Sequence, residues 1–316
     1  MHRVLVTGGA GFIGSHLVAA LVRRGDQVRV LDNFCTGKRE NLSAVEGGAK
    51  GKVELIEGDV TDAAAVGRAV AGCELVFHEA ALASVPLSVE RPLDTHAACA
   101  TGTLNVLDQA RRAGVRRVVY AASSSAYGNQ PTPRKMETDL PSMLSPYAAA
   151  KMTGELYCQA FWHSYGLETV ALRYFNVFGP RQDPSGPYAA VIPIFIKSIL
   201  TGSRPTIFGD GQQTRDFTYV ENVVQANLKA AAAPTEACGR VFNVGNGEAV
   251  SLLGLLQSLN ELMDTAIEPF FKPARTGDVR DSLADISLAQ SILGYRPTVD
   301  LRAGLKPTID FYRSGT

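Results

Sequence analysis

Short apolar runs alternate along this chain with longer stretches whose apolar positions recur every three to four residues. The short runs are rich in Val, Leu and Ile. They predict strands at Val4–Thr7, Val28–Leu31, Val53–Ile56, Leu75–His78, Val118–Ala122, Thr169–Arg173 and Val241–Val244. The longer stretches predict helices at Gly14–Arg24, Ala63–Ala69, Pro92–Ala113, Pro146–Tyr165 and Val220–Ala232. Gly25-Asp26, Gly72 and Gly114 fall where helices should stop before the next strand. This alternation predicts an α/β fold, a doubly wound parallel sheet covered by helices on both faces. After Arg173 the texture changes, with Gly179 to Pro187 rich in Gly, Pro and charge and another turn at Gly209-Asp210-Gly211. The expected division is a sheet domain over residues 1–173 with a return near 217–246. A smaller α/β substrate-binding lobe then comes from 174–216 and 247–316.

Composition narrows the function classes. Lys+Arg and Asp+Glu number 31 each, so no charge excess points to nucleic acid or an anionic membrane. Arg111-Arg112 and Arg116-Arg117 flank a turn and read as a solvated face. The cysteines at 35, 73, 99, 158 and 238 are scattered and form no C-x-x-C pair. That argues against a disulfide framework or a zinc site and suits a reducing compartment. With no apolar run of membrane-spanning length and little sequence before the first strand, a cytoplasmic protein without a signal peptide is expected.

The candidate chemistry lies at the strand ends. Gly8, Gly11 and Gly14, with Phe12 and Ile13 between them, separate the first strand from the first helix. Glycine there permits a tight turn and brings pyrophosphate close to backbone N–H groups at a helix N-terminus, the Rossmann-type arrangement. Asp32 ends the next strand, where a carboxylate accepts from both adenosine ribose hydroxyls and repels a 2′-phosphate, which favours NAD over NADP. Asp59, followed by Val60, can reach the adenine edge, with helix capping as the alternative. Ala80 and Ala81 are small enough for the middle of the cofactor to lie close. His78 reads as a packed strand-end histidine. Metal ligation is not indicated.

Ser123-Ser124-Ser125 close a strand, and Tyr147-x-x-x-Lys151 follows within a helix. A phenol does proton chemistry near neutrality only if its pKa falls from about 10. Lys151 lies one helical turn from Tyr147, so its cation is expected to favour the phenolate. Ser145-Pro146 predicts an N-cap and N1, placing Tyr147 in the first turn, where the helix dipole adds to the effect. The pattern reads as an enzyme.

In combination, Thr7-Gly8-x-x-Gly11-x-x-Gly14, the serine cluster, Tyr147-x-x-x-Lys151, Arg173-Tyr174-Phe175-Asn176 and Arg215-Asp216-Phe217 resemble the extended short-chain dehydrogenase/reductase family. Within it the chain is similar to the NAD-dependent UDP-hexose 4-epimerases over essentially its full length. That resemblance implies Tyr147 as acid/base, Lys151 as the group that tunes it and holds the nicotinamide ribose, and Ser123 on the sugar 4-hydroxyl. Ser124 and Ser125 would line the hexose pocket. The implied cofactor set extends to Asn33, Lys38, Ala121 and Tyr174. Asn176 and Arg215 would contact the substrate pyrophosphate, Phe208 would stack on uracil, and Arg275 and Asp278 would hold the uridine. The residue-level alternatives are an ion pair of Arg215 with Asp216 or Asp210, and plain core packing for Phe208. The resemblance also implies a homodimer through helices near Pro92–Ala113 and Pro146–Tyr165.

Dehydratases of the family carry Asp-Glu after the catalytic hydroxyl residue, and uronate decarboxylases carry a Glu nearby. Ser124 and Ser125 cannot do that work, so the serines point to epimerisation. Ser282 resembles the position where glucose-restricted enzymes place Tyr, leaving room for a 2-acetamido group. Asp183 stands where uronate epimerases usually have Arg, which disfavours a uronate unless Arg181 reaches in instead. Cys99 replaces the usual Asn of N-x-x-G-T, and Ala83 replaces a common Lys. The competing readings are a UDP-glucuronate 4-epimerase, a decarboxylase or dehydratase of the same family, and a non-catalytic NAD-sensing protein.

Overall fold

A computed structural model describes residues 2–43, 52–184, 190–274 and 279–314 of the chain. The predicted strands form one parallel sheet: β1 (Arg3–Thr7), β2 (Gln27–Asp32), β3 (Lys52–Glu57), β4 (Leu75–His78), β5 (Arg117–Ser123), β6 (Glu168–Tyr174) and β7 (Arg240–Val244). Their order is β7-β6-β5-β4-β1-β2-β3, every neighbouring pair is parallel, and the order reverses between β1 and β4. Ligands of open α/β sheets bind at the carboxyl ends of strands beside such a reversal.

Four helices position the site: α1 (Phe12–Arg24), α2 (Ala63–Val70), α3 (Gly102–Arg112) and α4 (Pro146–Tyr165). α1 ends at Gly25, whose left-handed backbone (φ +95°) aims its N–H at the carbonyls of Leu21 and Val22. A fifth helix, α5 (Val220–Ala232), lies with α1 on one face of the sheet, while α2, α3 and α4 cover the other. The helix expected over Pro92–Ala113 is not uniform. Pro92–His96 passes through a π-helical turn, Ala97–Thr101, before α3 begins. Among the described residues, no helix is long and apolar enough to cross a membrane.

Arg117 departs from the solvated face expected of it: it is only 2% exposed. Its guanidinium donates to the carbonyls of Ala230, Ala231 and Ala233 and pairs with Glu168 at 2.9 Å. The last carbonyls of α5 lack helical partners, and a buried cation satisfies them. Arg112, by contrast, is an exposed partner of Asp108.

The smaller lobe has its own core, in which Phe195, Ile196 and Ile207 meet Leu255, Leu259 and Leu305. Not all of the C-terminal segment belongs there: Ala289, Leu293 and Tyr295 join the core of the large sheet, and the Tyr295 hydroxyl donates to the carbonyl of Gly245. A four-stranded sheet gathers Val250–Ser251, Thr214–Arg215, Asp281–Ala284 and Arg134–Lys135 from distant parts of the chain.

Asp216 ties these parts together. Its buried carboxylate accepts from the backbone N–H of Asn246 at 2.7 Å, Gly247 at 3.0 Å and Ala284 at 3.1 Å. Burial raises its pKa to about 6, against the pull of those donors. Asp216→Ala would leave the buried Ala284 N–H without its acceptor, at a cost of about 1–3 kcal/mol, while the Asn246 and Gly247 N–H groups can turn to water. Urea unfolding is therefore expected to show a loss of about 1–3 kcal/mol. An unchanged midpoint would remove Asp216 from this role.

Candidate active site

A cavity of about 650 Å³ opens at the carboxyl ends of β1, β2 and β4. Gly8, Gly11, Phe12, Ile13 and Gly14 line it, with Asp32, Asn33, Lys38, Asp59, Val60, Ala80 and Ala81. Gly8 has φ +67°, and a Cβ there would stand 2.7 Å from the backbone nitrogen of Ala80. The loop is therefore packed too closely for side chains and leaves backbone facing the cavity. These features and the volume fit a bound dinucleotide.

Asp32 accepts from the N–H of Ala10 and of Phe34, both at 2.8 Å, which fixes the carboxylate at the end of β2. Asp62, not Asp59, caps α2. Burial would raise the pKa of Asp59, but the Thr61 amide and hydroxyl and the Asn33 amide hold it below the usual range. Lys38 forms an ion pair with Asp183 at 3.3 Å. Arg181 and Asp183 both line this cavity.

His78 is a packed residue, as expected. Thr103 donates to the carbonyl of Cys99 at 2.6 Å, so His78 Nε2–H donates to Thr103, and His78 Nδ1 accepts from Thr7. Burial lowers its pKa to about 3 and keeps it neutral.

The hydroxyl, phenol and ammonium meet where β5 and α4 converge. Ser145 caps α4 by accepting from the N–H of Ala148, and Pro146 occupies the first turn. Ser123 caps the short 3₁₀ helix Ser124–Tyr127 and receives the hydroxyl proton of Ser125 at 2.9 Å. A hydrogen bond links Ser123 to Tyr147. Lys151 is buried and donates to the carbonyl of Ala121 at 2.7 Å, with its ammonium 5.0 Å from the centre of the Tyr120 ring.

Burial dominates the electrostatics of the phenol. Burial pushes the Tyr147 phenol above its ordinary value, Cys99 and Glu79 add to this, and only Ser123 opposes it. Burial lowers the pKa of Lys151, whose ammonium spends one of its three donors on the carbonyl of Ala121.

Gly154 escaped the sequence reading. A Cβ there would lie 2.2 Å from the hydroxyl of the fully buried Tyr120, which also donates to the carbonyl of Lys151. Gly154 therefore sets how closely α4 approaches β5. Gly154→Ala is expected to destabilise the fold by about 1–3 kcal/mol and to lower kcat by displacing Tyr147 and Lys151. Full activity in that variant would show the spacing to be tolerant. The only cue in the sequence is a glycine inside a helical pattern.

A second cavity, of about 310 Å³, is lined by Asn176, Phe208 and Arg215 together with Gln182, Phe195 and Phe217. Asn176 donates to the carbonyl of Asp216, and Arg215 donates to the carbonyls of Thr214 and Arg280. Asp210 pairs with Arg280, and Asp216 accepts from backbone N–H groups. Phe208 faces a cavity rather than only core. Ser282 is the cross-strand partner of Arg215. The predicted uridine contacts Arg275 and Asp278 lie outside the described residues. The Tyr174 side chain lies below the first cavity, bonded to Glu79 and Asn227.

Known proteins share this arrangement. The chain is 40% identical over 315 residues to a UDP-glucose 4-epimerase of Mycolicibacterium smegmatis, covering 99% of each. A UDP-N-acetylglucosamine 4-epimerase from Methanobrevibacter ruminantium, solved with UDP-N-acetylmuramic acid, superposes with a TM-score of 0.94 at 39% identity, covering 100% of this chain and 99% of that one. A UDP-glucose 4-epimerase of Thermus thermophilus in complex with NAD gives a TM-score of 0.88 at 38% identity, covering 99% and 100%. Residues 4–245 match the pattern of a single family across the glycine loop, the serines, Tyr147 and Lys151. The chain belongs to the NAD dependent epimerase/dehydratase family.

Proposed function

We infer that this protein inverts C4 of a UDP-hexose through a transient 4-keto sugar, using NAD recycled in each turnover. The observation that carries this reading is the Ser123–Tyr147–Lys151 group, with serines and not carboxylates at 124 and 125. NAD held in the first cavity would supply the acceptor and then the donor of hydride at C4. Tyr147 accepts the proton of the 4-hydroxyl, guided by Ser123, and gives it back once the sugar has turned over about its phosphate link. Lys151 and Ala121 hold the nicotinamide ribose side of the site. Because a proton and a hydride leave and return in the same cycle, no external reductant is consumed.

The second cavity takes the uridine diphosphate. Arg215 and Asn176 supply donors for the pyrophosphate, and Phe208 offers a face for the uracil. Ser282 leaves room beside them for a substituent at C2, so UDP-N-acetylglucosamine and UDP-glucose are both in range. The protein also pairs as a homodimer, since Val89 and Leu93 are 66% and 82% exposed and Leu156 of α4 is exposed with them. Both the family likeness and the absence of a membrane-spanning helix among the described residues fit work in the cytoplasm.

The test is parallel incubation with UDP-glucose, UDP-N-acetylglucosamine and UDP-glucuronate, with NAD and no reductant, resolved by proton NMR. A C4 epimer of one or both hexoses is expected, and the relative kcat/KM values rank the substrates. A keto sugar or a pentose would overturn the assignment.

A further inference from the structure

Glu79 is a carboxyl group that the reaction above does not use. It follows His78 at the end of β4, lines the dinucleotide cavity, and accepts a hydrogen bond from Tyr174 of β6 at 2.8 Å. Tyr174 in turn accepts from Asn227 of α5 at 2.7 Å. The charged and titratable groups that bear on Glu79 are Tyr174 from β6 and Lys151 and Tyr147 from α4. Asn227 is the neutral polar neighbour from α5. Its Oδ1 is buried and has no hydrogen-bond donor among the described residues.

We propose that Glu79 is the charge-balancing group of the cofactor site, ionised against the cationic oxidised nicotinamide and protonated when the ring is reduced and neutral. The inference rests on the cofactor reading given above. Two observations support it. The carboxyl group stands in the wall of the cavity, fixed by the Tyr174 hydroxyl at 2.8 Å, with Lys151 and Tyr147 close enough for charge on either to bear on it. Burial, opposed by Tyr174, Lys151 and Asn227, raises its pKa to about 7, so a modest change in nearby charge moves it between its two states. The balance of oxidised and reduced cofactor then depends on pH. Above pH 7 the carboxylate favours NAD, and below it the preference fades as the group protonates.

Calorimetry of NAD and NADH binding tests this in the full-length chain freed of bound nucleotide. Tyr147→Phe serves as background, so that the phenol does not titrate. At pH 7, in buffers of differing ionisation enthalpy, NAD binding should release on the order of half a proton more than NADH binding. Adding Glu79→Gln should abolish that difference, because the amide still accepts from Tyr174 but cannot ionise. It should also shift the NAD:NADH affinity ratio about tenfold toward NADH at pH 8, with the two proteins converging below pH 6. Equal proton release for NAD and NADH overturns the proposal. So does a difference that survives Glu79→Gln, which would assign the proton to Lys151. The first comparison leaves Glu79 in place and decides the matter even if the Gln variant fails to fold. Failure to bind either form would overturn the cofactor reading itself, and this inference with it.

Discussion

Tyr147→Phe is expected to lower kcat by about 10³-fold while leaving NAD bound. The ring packs among Cys99, Ala100 and Ala150 with Ala81 alongside, and Phe keeps those contacts. What is lost is the oxygen that Ser123 holds and that must take and return the C4 hydroxyl proton. Ser123 retains its own ties to Ser125, so the strand end should not rearrange. The check is steady-state turnover beside an NAD dissociation constant. Turnover at the wild-type rate would remove Tyr147 from proton transfer. Loss of NAD as well would make its role structural.

Gly14→Ala is expected to weaken NAD binding by about 10- to 100-fold, the equivalent of roughly 1–3 kcal/mol of forced rearrangement. A Cβ at this position would lie 2.2 Å from the carbonyl oxygen of Gly8 and 2.9 Å from the Cα of Gly9. Both are backbone atoms, so no side chain can swing away to relieve the clash. The turn must open, and the N–H groups that face the cavity move with it. Urea unfolding and far-UV circular dichroism should show a folded protein, since the core strands β1 and β2 are untouched. Unaltered NAD affinity in a folded variant would mean that the cofactor does not rest on this loop.

The central strands of the large sheet were legible because they are buried on both faces and so appear as continuous apolar runs, such as Val118–Ala122. The edge strand Lys52–Glu57 is largely exposed and shows only a short Leu55-Ile56 run. α4 was legible from Ser145-Pro146, which specify a cap and a first turn by local chemistry alone. The glycine loop and Asp32 were legible for the same reason, since strand, turn and helix adjoin in sequence. The four-stranded sheet of the lobe was not, because its pieces are two to four residues long and come from segments as far apart as Arg134 and Asp281. Arg117 was misread because nothing nearby in sequence reveals the carbonyls of Ala230 to Ala233 that it caps. The surroundings of Tyr147 were not legible for a related reason. Spacing puts Lys151 one turn away, but the burial of both groups and the carbonyl of Ala121 are tertiary facts. Glu79 likewise gained meaning only when Tyr174 and Asn227 were brought beside it by β6 and α5.

The most direct test of the central claim is the fate of a deuterium placed at C4 of UDP-glucose during turnover in ordinary water with NAD and no reductant. The account predicts a C4 epimer that keeps the label on C4, because the hydride removed is the hydride returned. An epimer whose C4 carries solvent hydrogen, or a product formed with stoichiometric NADH, would contradict it.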